Sequence, residues 1–81
     1  MLVLVTETAF VQFADRIGAV ATDARFLRMQ TDGTLTFGDK PIEWDAAAPD
    51  VAWVTADLFD GGPVRPFFKL LLTAKPAYTI A

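Results

Sequence analysis

The sequence predicts one small α/β domain, with a mainly parallel sheet between helices, and three observations carry that expectation. First, residues 50–80 read as a strand, a turn, an amphipathic helix and a second strand, which is one βαβ unit. Second, Leu2–Val5 and Val51–Thr55 are unbroken apolar runs without alternation, as suits strands covered on both faces. Third, a strand–helix–strand of this length closes as a right-handed parallel crossover. Applied to the whole chain, these rules give a three-layer α/β/α arrangement with strand order 2-1-3-4 and a small β-hairpin after strand 2.

The first strand runs from Leu2 to Val5. Thr6 or Thr8 is placed to cap the helix that follows, with Glu7 near its positive end. Phe10, Phe13, Ala14 and Ile17 define the buried face of that helix, extended by Val20 and Ala21, while Gln12, Asp15 and Arg16 point away. Gly18 costs about 1 kcal/mol relative to alanine, which close approach to the sheet would explain. The helix is expected to end near Thr22-Asp23. Arg25–Gln30 forms the second strand, and its interleaved charges suit a sheet edge. Asp32-Gly33 signals a hairpin between Met29–Thr31 and Thr34–Phe37. Gly38–Pro41 is a second turn, Ile42–Trp44 alternates briefly, and Asp45–Pro49 is a loop or a single helical turn.

In the central unit, Asp60-Gly61-Gly62 breaks the strand pattern and Pro63 fits a first helical turn. Val64, Phe67, Phe68 and Leu71 make one helical face, which Leu70 and Leu72 widen. Lys75-Pro76 ends the helix, because a residue before proline avoids helical geometry. The fourth strand is Ala77–Ile80.

Composition narrows the function. With 81 residues there is room for one domain, and for its size the 53% hydrophobic share is high. Either the two-sided sheet consumes it, or some apolar surface is meant for a partner. A net charge of −3 without a Lys/Arg cluster argues against nucleic acid as a partner. No apolar run approaches the ~20 residues of a membrane span, and the apolar start is too short and lacks the basic flank of a signal peptide. The chain has no cysteine and no histidine. That excludes thiol chemistry, removes the commonest general base and zinc ligand, and fits a cytoplasmic compartment.

The constellations that bear chemistry are few. Asp57 and Asp60 lie just past the carboxyl end of the third strand, where open α/β sheets place ligands, so they are candidates for cation binding or acid–base work. The plain account makes them a loop acid and a helix cap. Gly61-Gly62 before a helix has neither phosphate-loop spacing nor a following Lys-Ser/Thr, and Pro63 lacks an N–H. Thr6-Glu7-Thr8 could contact a ligand or simply cap the first helix. Trp44 and Trp53 fit core positions, and Arg65 is a first-turn cation or a partner for Asp60.

Beyond these features, PDVAWVTADLF, with its Thr-x-Asp loop, followed by RPFFKLLLTA and Pro76–Ile80, resembles the amino-terminal part of the D-isomer-specific 2-hydroxyacid dehydrogenases. The opening strand, first helix and DGTLTFGD hairpin fall where that family has them, so the resemblance spans nearly all of the chain through packing patterns. It implies the first half of a flavodoxin-like substrate domain, with Thr55, Ala56, Asp57 and Leu58 nearest the substrate. In that family the GxGxxG domain that binds NAD or NADP, and the catalytic arginine, glutamate and histidine, lie downstream of the matched region. The resemblance therefore implies an inactive fragment or truncated form that binds no cofactor itself. The alternative is a free-standing α/β module for protein interaction or self-association. Under either reading, Ala77–Ile80 is an uncharged edge strand, and a homo-oligomer formed through it is expected.

Overall fold

The computed structural model describes residues 1–20 and 23–80, and the side chains of these except at 14 and 17–20. Its elements in chain order are β1 (Leu2–Thr6), α1 (Glu7–Val20), β2 (Arg25–Met29), β3 (Leu35–Phe37), β4 (Lys40–Ile42), β5 (Val51–Trp53), α2 (Val64–Ala74) and β6 (Tyr78–Ile80). Two 3-10 turns, Trp44–Ala46 and Ala56–Phe59, flank β5.

All six strands join one mixed sheet in the order β4-β3-β2-β1-β5-β6. β2, β1, β5 and β6 run parallel, and β3 and β4 add antiparallel. β2 is therefore not an edge strand. The chain folds back through Asp32-Gly33 in the plane of the sheet, pairing Leu27, Arg28 and Met29 with Phe37, Thr36 and Leu35. Arg28 tolerates that interior position because its guanidinium is paired with the Glu7 carboxylate and bonded to the Gly38 carbonyl. The turn itself is held by the Asp32 carboxylate, which accepts from the Thr34 N–H at 2.9 Å. Gly33, at φ +90°, supplies a left-handed backbone there. The outer edge on this side is β4, which begins at Lys40 where a continuous turn to Pro41 was expected.

Strand alternation assigns the two sheet faces. Leu4, Leu27, Met29, Leu35 and Ala52 share one face with Leu58, Phe67 and Leu70, all buried, and this cluster is the core. α2 therefore covers that face. Val3, Phe26 and Trp53 alternate to the other, where Phe10 and Phe13 of α1 set their rings 5.4 Å from Phe26 and 5.8 Å from Trp53. The proposed buried contacts of Ala14, Ile17, Val20 and Ala21, the close approach at Gly18 and the helix end near Thr22 lie outside the described residues.

In α2, Phe67 and Leu70 are fully buried, with Val64, Phe68, Leu71 and Ala74 packed partly against the core. Leu72 does not widen the stripe: it is 78% exposed. At about 100° per residue it lies roughly 140° around the helix from Phe67, whereas Leu70 lies only about 60° away. Pro63 sits at the N-cap, just ahead of the first turn. Lys75 closes the helix in the left-handed conformation at φ 49°, its N–H bonded to the Leu71 carbonyl at 3.0 Å. This left-handed close satisfies both the helix end and the proline that follows. None of the described helices is long and apolar enough to cross a membrane.

Candidate functional site

The connections leave β1 and β5 in opposite directions: α1 leads to β2 over one face, and α2 leads to β6 over the other. Between the carboxyl ends of β1 and β5 the sheet therefore has a topological switch point, where diverging connections open a crevice. Three side chains meet there. Thr6, the last residue of β1, is almost fully buried. Its hydroxyl donates to Asp57 Oδ2 at 2.7 Å and accepts from the Ala9 N–H at 3.1 Å, so Thr6 caps α1. Thr55, just past β5, donates to Asp57 Oδ1 at 2.6 Å, and the two threonine oxygens lie 3.5 Å apart.

Each oxygen of the Asp57 carboxylate is thus engaged by a hydroxyl from a different strand end. This is a charge-assisted clip between residues about 50 positions apart. Asp57 holds the mouth of the switch point closed at its base, and what faces outward is Thr55, Ala56 and the adjoining main chain. Ala56 is exposed and Thr55 half-buried. Leu58 is buried in the core beside Phe67, so within the Thr55–Leu58 loop it acts as an anchor, and any contact it makes to a ligand runs through its main chain. A shallow open depression lies on the α1 side of this loop, between Gln12, Phe13, Trp53, Thr55, Ala56 and Asp57.

Gly62 fixes the loop from below. A Cβ on this residue would come within 2.6 Å of the Asp57 carbonyl oxygen and 2.7 Å of the Leu58 Cα. Gly62 therefore packs beneath the 3-10 turn by close backbone approach, whereas the exposed Gly61 supplies a left-handed backbone at φ +81°. Asp60 and Arg65 are both exposed. Asp60 does not cap α2, whose N-cap is Pro63 without a side-chain bond. Trp44 is half-buried, its indole N–H bonded to the Gly33 carbonyl at 3.0 Å, and Trp53 packs against Phe13.

A second polar cluster borders the first and was not legible from spacing. Glu7, in the first turn of α1, accepts from Arg28 Nη1 at 3.3 Å and from Gln30 Nε2 at 2.7 Å. The Arg28 guanidinium also donates to the Gly38 carbonyl and lies 4.9 Å over the Phe10 ring. The parallel register, Val5 beside Arg28 and Thr6 beside Met29, brings these groups together. Among the described residues, no three acidic side chains converge as a metal set. No family model matches this chain, and no curated protein or solved structure matches it either.

Proposed function

We propose that this chain is a substrate-domain piece of a D-2-hydroxyacid dehydrogenase-like oxidoreductase, flavodoxin-like in architecture. The observation that carries the reading is the switch point between β1 and β5, with Thr55–Asp57 at its rim. Ligands of open α/β sheets sit in that position. In this reading the Thr55–Leu58 loop contacts a small hydroxy or keto acid through Thr55 and main-chain groups. The Asp57 carboxylate, already occupied by two hydroxyls, keeps the loop in place. NAD or NADP and the groups that move the hydride come from another domain, and the compartment is the cytoplasm, as a chain free of cysteine suits.

A second reading, a free-standing module that works by association, is favoured by one specific observation. Every residue of β6 is exposed at a sheet edge.

The first reading is tested by following backbone amide shifts during titration with short 2-hydroxy and 2-keto acids at millimolar concentration. Shifts centred on Thr55, Ala56 and Asp57 support it. Amides there that stay fixed while the acids reach tens of millimolar refute it. Calorimetry with NADH and NADPH is expected to give no saturable binding, and saturable binding would contradict the assignment of the cofactor to a separate domain.

A further inference from the structure

The sheet has two edges, and they differ in how they meet another strand. At β4, Lys40 carries a charge and Pro41 has no N–H to offer, two devices that keep edges from pairing. At β6, Tyr78, Thr79 and Ile80 carry neither charge nor proline. Tyr78 is 70% exposed and Ile80 53%, both large and apolar.

The hydrogen bonds of β6 define what its outer edge presents. The Tyr78 N–H donates to the Asp50 carbonyl at 3.2 Å, and the Ile80 carbonyl accepts from the Val54 N–H at 2.6 Å. Residues 78 and 80 thus turn their backbone groups inward to β5. By alternation, the N–H and C=O of Thr79 point outward. An outward donor and acceptor on one residue form a self-complementary unit. Two antiparallel copies can place Thr79 opposite Thr79 and exchange both bonds about a two-fold axis.

That register also matches side chains. It sets Tyr78 of each copy beside Ile80 of the other, aromatic against β-branched, the pairing that stabilises antiparallel strands. Both residues lie on the sheet face that carries Val51 and Trp53, since Val51 pairs with Tyr78 and Trp53 with Ile80. An apolar hollow on this face runs from Val3 and Phe26 across Val51 and Trp53 to Tyr78 and Ile80. The two-fold would make it continuous between copies. The area agrees: the chain exposes 5260 Å², against ~4800 Å² for a compact monomer of its mass. The excess is of the order of one side of a small interface, ~600 Å² or less.

From these observations we infer that a second copy of this chain occupies the β6 edge, in an antiparallel, two-fold pairing centred on Thr79. This inference rests on the association reading of β6 and concerns the 81-residue chain; the acid titration at Thr55–Asp57 tests the dehydrogenase reading separately.

The test is sedimentation equilibrium from low to high micromolar concentration, on the unaltered chain and on Thr79→Pro. Proline removes the outward N–H and leaves both bonds to β5 in place. The unaltered chain is expected to dimerise over this range. Thr79→Pro is expected to remain monomeric at the highest concentration, with the tryptophan emission of the folded chain. A clean monomer for the unaltered chain would overturn the inference and leave the edge to a different polypeptide. A dimer unaffected by Thr79→Pro would overturn it in favour of another surface. Should the variant fail to fold, hydrogen exchange of the Thr79 amide in the unaltered chain decides. Protection that rises with concentration supports the pairing, and unprotected exchange at every concentration overturns it.

Discussion

Phe67→Ala against Leu72→Ala is a matched perturbation on one helix. Phe67 is fully buried among Leu4, Leu27, Leu58 and Leu70, its ring edge-on to Phe68 with centroids 6.0 Å apart. Removing it deletes the largest fully buried side chain of the core and leaves a cavity that a single-layer helix contact closes poorly, so the cost is about 3–5 kcal/mol. A domain of 81 residues has a total stability of roughly 4–12 kcal/mol, so this one change removes about a quarter of it or more, and at the low end of that range unfolds the chain. Leu72 is a large apolar residue of the same helix but lies 78% exposed, so Leu72→Ala should stay within about 0.5 kcal/mol. Urea denaturation followed by tryptophan emission separates the two, because Trp44 packs against the core that α2 covers. Equal midpoints for the two variants, with Phe67→Ala melting like the unaltered chain, would refute this placement of the α2 face.

Three further expectations concern the switch-point loop and the hairpin. Gly62→Ala drives a methyl group into the Asp57–Leu58 backbone, and is expected to cost about 1–3 kcal/mol and to move the Thr55–Leu58 amides in an NMR spectrum. Asp57→Asn removes the carboxylate charge and replaces one acceptor oxygen by a donor, so one of the Thr6 and Thr55 hydroxyls must turn from donating to accepting; a loss of about 1–3 kcal/mol in chemical denaturation is expected, and an unchanged midpoint would show the clip to be idle. In the hairpin, the Thr34 backbone N–H and then its side chain hold the Asp32 carboxyl below the ordinary aspartate range. A depressed folded pKa means that its contribution is present above the unfolded value and is lost as pH falls through the lowered one. A carboxyl titration followed by NMR should therefore find Asp32 protonating at lower pH than an unstructured aspartate, and a midpoint at or above that reference would contradict the Asp32–Thr34 turn.

The elements that read clearly in the sequence are those whose pattern is local. Leu2–Val5 and Val51–Thr55 announce covered strands by unbroken apolar character, and Val64, Phe67 and Leu71 announce a helix face by spacing. What escaped depends on partners distant in the chain. Leu35–Phe37 and Lys40–Ile42 are three residues each, too short to show a period, so nothing local reveals that the hairpin continues the sheet and buries β2 in its interior. The same holds for the site. Asp57 was visible as a loop acid, but its two hydroxyl partners follow from the adjacency of β1 and β5. The Glu7–Arg28–Gln30 cluster follows from a parallel register that no spacing encodes. Gly62 was legible as a turn residue, and its reason, contact with the Asp57–Leu58 backbone, was not.

The central claim, that this chain is the substrate-side part of a hydroxyacid dehydrogenase-like protein, is tested most directly by reading the gene past codon 81. The account predicts an in-frame continuation carrying a GxGxxG nicotinamide-binding segment, with arginine, glutamate and histidine beyond it. A stop codon followed by an unrelated gene would contradict it.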